Sequence, residues 1–532
     1  MIKKLINSNI IFIIVSLIIY AFYLYRNNDL YLLNPPDEYS FKILIQNTSL
    51  AKFDFASPLY VLFYKLIFLF EENFYNVAKI INLFFFLIKN IFIFLITTKL
   101  STTNDAKLLF ILCSLGAFNF FTSALMPESL FYMYFYLFIF FYLFIKNFYF
   151  KFIICAVNIF ILFLIKGIGI FILPAILCNE LFKYFTKRET LKKALFSTLI
   201  VSLLFLILFM LTNLFIDDNR NSVFGAKYNG IFKNIDNISE LLFIIKLFIT
   251  NYIGHLLYNF LIFGLLIIFL LKKIFLEKET TDQIIIIPLL ITIFLSLFSS
   301  LNHAMHVFTN PEINFYRITS RYYDFILPLF LISSLLLGKH NLNLKIKSSY
   351  ITIVLVLVIF LIIFFTQVGS FRPTSVIFDS ILFRGYIYNI VFFNIFLIFY
   401  LIIFIISFYI PHRIKFLYLV IYYPTILLFS LSPIIKEINT YKNPNDFDLV
   451  AEQFKKDNKL LSSSPTIISD NLIGEDFRVL FYLKTPIIEL VTKASIDNKI
   501  LNNKNTLIIS NNLKFNKQKY RYFLNGRYVL SN

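Results

Sequence analysis

The chain has 532 residues, 59% of them hydrophobic and 15% charged, with a mean hydropathy of +0.78. Soluble chains run at about 45–50% apolar and about 25% charged, so this composition excludes an ordinary globular protein. The formal net charge is +19, but the basic residues gather in short segments between apolar runs. That pattern points to membrane orientation and anionic lipid head groups, not to nucleic acid.

A run of roughly 17–25 apolar residues crosses a bilayer as a helix, because every backbone polar group must be satisfied within the segment. In chain order such runs cover 9–25, 74–98, 107–125, 129–146, 150–165, 168–182, 195–216, 245–271, 283–301, 322–338, 349–367, 387–410 and 416–434. The expected fold class is therefore a polytopic α-helical membrane protein of about thirteen spans. The run 58–70 is too short to span and is expected to lie along the interface. Cys113, Cys155 and Cys178 all fall inside apolar runs and form no spaced motif, so neither a disulfide framework nor a metal site follows from them.

Lysine and arginine set the orientation. With a cytoplasmic N-terminus, the inner loops carry Lys3 and Lys4, Lys99 and Lys107, Lys146 and Lys151, Lys183 through Lys193, Lys272 to Lys278, Lys339 to Lys347, and Arg413 with Lys415. Each is basic, as orientation in the plasma (inner) membrane requires. An odd number of spans then leaves the C-terminal tail outside. Residues 1–435 are expected to be the membrane domain. Residues 436–532 change composition sharply and are expected to form a small extracytoplasmic α/β domain. In it, helices at 447–458 and 475–483 alternate with strands at 466–469, 487–491 and 506–510. The alternating runs around Asn525-Gly526 close the chain as a hairpin.

The same orientation places the chemically useful residues on the outer side. Asp37 and Glu38 follow Pro35-Pro36, which stiffen the approach. One carboxylate can deprotonate an acceptor hydroxyl while the other positions acceptor or cation; the bland alternative is a solvated loop pair. Glu128 follows Pro127 at a turn between apolar runs, where a carboxylate is either a site residue or an interfacial loop acid. Lys166 interrupts an otherwise apolar stretch, Phe163-Leu164-Ile165-Lys166-Gly167, on the side where positive charge is disfavoured. It either holds a lipid-linked phosphate or snorkels to the interface. Arg317 and Arg321 would share a helix face at i, i+4 if that segment is helical. Guanidinium suits phosphate oxygens, with partial pairing to Asp324 as the structural alternative. His303 and His306 lack a third ligand nearby in sequence, so no metal ligands are assigned.

Taken in order, these residues resemble the membrane glycosyltransferases of the GT-C fold, in the branch of the protein O-mannosyltransferases and aminoarabinose transferases. The matching elements are Asp37-Glu38, Ser57-Pro58-Leu59-Tyr60, Met126-Pro127-Glu128, Lys166-Gly167 with Pro174, and Arg321-Tyr322 leading to Pro328. They span roughly residues 10 to 330. Ser57 departs from the branch's Pro-Pro-Leu-Tyr segment, and Lys79 stands where an arginine often opens the second span. The resemblance implies inverting transfer of a sugar from a polyprenyl-phosphate donor to a lipid, glycan or protein acceptor. It makes Asp37 the base and points to Lys166, Arg317 and Arg321 for the donor phosphate; Glu38 is expected to support the base, Glu128 and Tyr322 to bind substrate, and a divalent cation stays open as a cofactor. Two other readings compete. A surface-polysaccharide polymerase or ligase should carry a large mid-chain outer loop rich in Arg and His, which the longest outer loops, 26–73 and 217–244, do not match. A flippase or transporter of lipid-linked saccharides should show charged or Gly/Pro-broken spans at mid-bilayer in both halves. Here only Lys89 lies near the middle of a span, and it has no functional reading.

Overall fold

A computed structural model describes residues 9–33, 35–47, 57–67, 73–185, 190–213, 237–276, 283–309, 319–337, 390–410, 413, 416–456, 466–469, 475–482, 487–490, 506–509, 520–523 and 528–531. Among these, seven helices are long and apolar enough to cross a membrane, or eight if the pair Thr103–Leu115 and Ala117–Ser123, bent by 53°, is one span. Shorter apolar helices at Pro58–Ile67, Glu128–Phe144, Asp324–Leu336, Ile398–Ser407 and Leu417–Leu428 accompany them. Each run drawn from sequence coincides with a helix except 349–367, which lies outside the described residues. The chain is a polytopic helical membrane protein.

The apolar helices, in chain order, are α1 (Asn9–Asn27), α4 (Phe74–Leu100), α5 (Thr103–Leu115), α6 (Glu128–Phe144), α7 (Phe148–Ile165), α8 (Ile172–Phe185), α9 (Leu191–Asn213), α10 (Ile238–Leu276), α11 (Gln283–Thr309), α12 (Leu327–Leu337), α13 (Ile390–Tyr409) and α14 (Tyr423–Thr440). Between α1 and α4 stand two shorter helices, α2 (Pro35–Asn47) and α3 (Pro58–Ile67). Proline is tolerated in a first turn, where its missing N–H is not needed, so Pro35 and Pro36 open α2 instead of breaking it. The described residues between α1 and α4 are thus largely helical, although the two prolines read as a stiffened loop.

In α1, Ile10, Ile13, Ile14, Leu17 and Ile18 are exposed at helical spacing, a row that lipid covers. The opposite face packs on α4 and α5. There Phe12 stacks on Phe94, while Tyr20 and Tyr23 reach Ser114. The last turn of α1 carries Arg26, which is 3% exposed and has no carboxylate among its hydrogen-bond partners. Its guanidinium donates to Asn27 Oδ1 at 3.0 Å through Nε, and to the Asn119 carbonyl, Thr122 Oγ1 and Ser123 Oγ through Nη2 at 3.0, 3.2 and 2.9 Å. Nη1 donates to Asn119 Oδ1. All of these partners but Asn27 lie on the tight 3₁₀ segment Ala117–Ser123, so one side chain bolts the end of α1 to the bend after α5. Arg26→Met should strand several buried acceptors, each costing roughly 1–3 kcal/mol. A fall of several degrees in the thermal midpoint of purified protein is expected. Arg26→Lys should not restore it, because an ammonium cannot present a planar fork; full rescue by lysine would refute this account.

Lys89, near the middle of α4, is buried over the rings of Phe86 and Phe118, at 4.0 and 5.6 Å from their centroids. Cys113 and Cys155 are buried free thiols, and Cys178 is half-buried.

The C-terminal residues form helices α15 (Asp446–Lys456) and α16 (Asp476–Tyr482) with a five-stranded sheet of order β2-β1-β3-β5-β4. The strands are β1 (Thr466–Ser469), β2 (Ile487–Leu490), β3 (Thr506–Ile509), β4 (Tyr520–Phe523) and β5 (Tyr528–Ser531). β1 runs parallel to β2 and β3, while β5 pairs antiparallel with β3 and β4, Tyr522 facing Val529. α16 packs on both α15 and α2. Within this unit Arg478 contacts Glu475 at 2.5 Å and Asp448 at 3.4 Å. The two carboxylates raise its pKa against the lowering effect of burial.

Candidate active site

Four turns converge on one region. The first is the opening turn of α2, with Asp37 half-buried and Glu38 fully buried. Both Glu38 oxygens are engaged: Oε2 accepts from the Leu33 amide at 2.9 Å, and Oε1 accepts from Tyr75 Oη at 2.7 Å and the Leu125 amide at 2.8 Å. Lys79, expected to open the second span, is buried one turn along α4 from Tyr75, beneath Glu38's electrostatic influence, and donates to the Leu30 carbonyl at 3.3 Å. Sequence alone gave Glu38 a supporting place beside the base; in the structure it is held from three sides. A carboxylate with no exposed surface and three donors is a strut, tying the segment before α2 to the segment before α6. Adjacent acids look equivalent in sequence; here only Asp37 keeps access to solvent.

Glu128 is the second element. Pro127 caps α6, its carbonyl accepting from the Phe131 amide at 2.9 Å, and Glu128 stands in the first turn, where helix dipole and carboxylate agree. Lys166 is the third. It caps the end of α7, and the chain then tightens into the 3₁₀ segment Gly167–Phe171 before α8. Gly169 permits this turn: a Cβ there would meet the Leu162 carbonyl carbon at 2.5 Å and the Phe163 nitrogen at 2.6 Å. The break turns Lys166 towards Glu128, and the two form an ion pair of 2.6 Å with side chains 12% and 2% exposed. The remaining Glu128 oxygen, Oε2, has no hydrogen-bond partner among the described residues.

The fourth element is the pair of 3₁₀ turns Ser320–Tyr322 and Asp324–Ile326. Two cations approach the Tyr322 ring, with Lys166 Nζ 5.1 Å and the Arg321 guanidinium carbon 5.2 Å from its centroid. Arg321 Nη2 also donates to Tyr322 Oη at 3.4 Å. The structure therefore brings Glu128, Lys166, Arg321 and Tyr322 together, beside the turn that Glu38 ties down at Leu125. Arg317 lies outside the described residues, and so does the side chain of His306. Asp324 is engaged by hydroxyls, accepting from Ser320 Oγ at 2.6 Å and Tyr258 Oη at 3.4 Å.

Two features escaped the sequence reading. Tyr60 on α3 is wholly buried, packs against Tyr64 with ring centroids 4.4 Å apart, and leaves its hydroxyl without a hydrogen-bond partner among the described residues, within electrostatic reach of Glu128 and Glu38. A buried polar layer also backs the Arg321 turn. His255 Nδ1 meets Tyr323 Oη at 2.8 Å, His255 Nε2 meets Ser299 Oγ at 3.2 Å, and Ser299 bonds Thr319. Asn251, His255 and Asn259 recur every four residues along α10, all buried. That i, i+4, i+8 polar stripe within an apolar run was the available signal.

At the edge of the site, α16 covers α2. Lys42 Nζ donates to the Phe481 carbonyl and lies 5.0 Å from the Phe481 ring centroid. Burial pulls the Lys42 pKa down from 10.5 to about 7. The unfolded chain then binds more protons than the folded chain between pH 7 and 10.5, so stability rises with pH across that window and its penalty is complete below it. The slope is at most about 1.4 kcal/mol per pH unit. The thermal midpoint of wild type minus that of Lys42→Met is expected to climb from pH 7 to 10, and a flat difference would refute the burial.

A scan against protein-family models gave no match, and a comparison with curated proteins gave none. Solved structures do match. The crystal structure of ArnT from Cupriavidus metallidurans bound to undecaprenyl phosphate superposes with a TM-score of 0.55 at 12% identity, covering 98% of this chain and 97% of that one. The apo form of the same enzyme gives 0.54 at the same identity and coverage. This chain has the ArnT-like GT-C fold over essentially its whole length.

Proposed function

We propose that this protein is a membrane glycosyltransferase that moves a sugar from a polyprenyl-phosphate donor to a hydroxyl acceptor on the outer face of the plasma membrane. The observation that carries this reading is the convergence of Lys166, Arg321, Tyr322 and Glu128 beside the helix bearing Asp37, in a chain with the fold of a protein solved with undecaprenyl phosphate. One carboxylate against two cations leaves the cluster net positive in a setting of low dielectric, where a single phosphate charge is well matched.

The chemistry balances as follows. Asp37 takes the proton of the acceptor hydroxyl as its oxygen attacks the anomeric carbon from the face opposite the phosphate. The bond from anomeric carbon to phosphate oxygen breaks with inversion, and the electron pair leaves on the phosphate. The donor diester carries one negative charge and the product monoester close to two. Lys166 and Arg321 therefore bind the leaving group more strongly as the bond breaks, which accelerates the reaction instead of merely holding the donor. Tyr322, approached by both cations, fixes their spacing. The acceptor is a lipid, a glycan or a protein.

The test is donor consumption by purified protein in lipid discs, offered a panel of polyprenyl-phosphate sugars. Loss of donor with release of polyprenyl phosphate is the expected result; translocation of intact donor in sealed vesicles without its consumption would support a flippase instead. The same reading puts residues 436–532 outside as a separate α/β domain and the N-terminus in the cytoplasm. Single cysteines in the tail should then react with a membrane-impermeant maleimide from outside intact cells.

A further inference from the structure

α16 belongs to the C-terminal sheet unit, yet its side chains reach the residues that hold the carboxylate turn of α2. Phe477 packs on Tyr39 with ring centroids 5.2 Å apart. Phe481 is 4% exposed and meets Tyr75 edge-on at 5.4 Å. Its carbonyl accepts from Lys42. Tyr75 in turn donates to Glu38 Oε1, and Glu38 ties down Leu33 and Leu125. A continuous set of contacts therefore runs from the C-terminal unit to the turn carrying Asp37. A second set of contacts joins the segment after α1 to this part of the chain: the Tyr31 amide donates to the Tyr441 carbonyl at 3.1 Å and Tyr31 Oη donates to Glu452.

We propose that α16 is a clamp on α2, with Phe481 the positioning residue that sets Asp37 through Tyr75 and Glu38. The C-terminal unit then belongs to the catalytic apparatus without touching the reacting atoms. The mechanical part of this proposal stands on the contacts alone, and the catalytic part rests on the reading of Asp37 as base.

Both parts can be tested on the full chain. In a background with Cys113, Cys155 and Cys178 replaced by alanine, Asp37→Cys provides a probe whose reaction rate with a water-soluble maleimide reports access to that turn. Phe481→Ala should raise the rate about a hundredfold, as loss of a buried aromatic is expressed in local opening. Phe481→Tyr, which keeps the ring, should leave it near the starting value. Where Phe481→Ala does not yield folded protein, Phe477→Ala should raise the rate about tenfold. An unchanged rate in whichever alanine variant folds overturns the clamp. With Asp37 intact and a polyprenyl-phosphate sugar as donor, Phe481→Ala should lower kcat about tenfold with donor KM unchanged, and Phe481→Tyr should restore kcat. A raised donor KM at constant kcat overturns the positioning role. If wild type consumes no donor, glycosyl transfer fails while the labelling rates still decide the clamp.

Discussion

Asp37→Asn should lower sugar transfer at least about a hundredfold while donor binding and folding persist. A positioned carboxylate base typically contributes about 10²–10⁴-fold. The amide keeps the size and most of the hydrogen bonding of the acid but cannot take a proton. Asp37 is half-buried in the first turn of α2, so the exchange strands no fully buried charge. Glu38→Gln should behave differently. Its oxygens accept from Leu33, Tyr75 and Leu125, and an amide can accept only on one side. That variant should lose stability as well as rate, because one of three buried donors loses its acceptor. The two neighbours are thus separable by measuring kcat and thermal midpoint together. Near-normal turnover in Asp37→Asn would move the base elsewhere, with Glu128 the next candidate.

The second large effect concerns the ion pair between Glu128 and Lys166. Removing one partner of a buried pair leaves a lone charge at a cost of about 3–5 kcal/mol, whereas removing both for apolar residues of similar volume is often neutral. Glu128→Leu alone should therefore fail to fold or lose many degrees of thermal stability. The double variant Glu128→Leu with Lys166→Met should return close to the wild-type midpoint, and it should consume no donor, because a cation of the proposed phosphate site is gone. A stable double variant that retains transfer would show that the pair is only structural. Lys166→Arg should keep the charge yet alter its geometry, so partial activity is expected there.

The helical bundle was legible because bilayer length and apolar content are local properties, and 74–98 or 283–301 can be read without knowing any neighbour. Lys166 was legible for a related reason: a lysine that interrupts an apolar stretch stands out in any hydropathy reading. Arg26 was not, since an arginine at the end of a span has the signature of one snorkelling to the interface, and only the bend at 117–123 makes it a buried bolt. How Glu38 is held was not legible, because burial is not a property of a dipeptide. The clamp on α2 was invisible in principle: Lys42 and the Phe481 carbonyl are 439 residues apart in the chain. No local pattern encodes such a pairing. The polar stripe on α10 lay within reach of period analysis, but hydropathy averages over a whole span and hides three residues on one face.

Arg26 also bears on how the molecule is made. The first acceptor for its guanidinium on the distant segment lies 93 residues downstream. At about 5–20 residues per second, synthesis delivers that segment roughly 5–20 s after Arg26 leaves the ribosome. Through that interval the first span must keep its charged end at the water boundary, because hydrocarbon offers guanidinium no acceptors. The burial of Arg26 therefore sets an order of assembly: α1 waits upright at the surface, and the bend after α5 draws it into place.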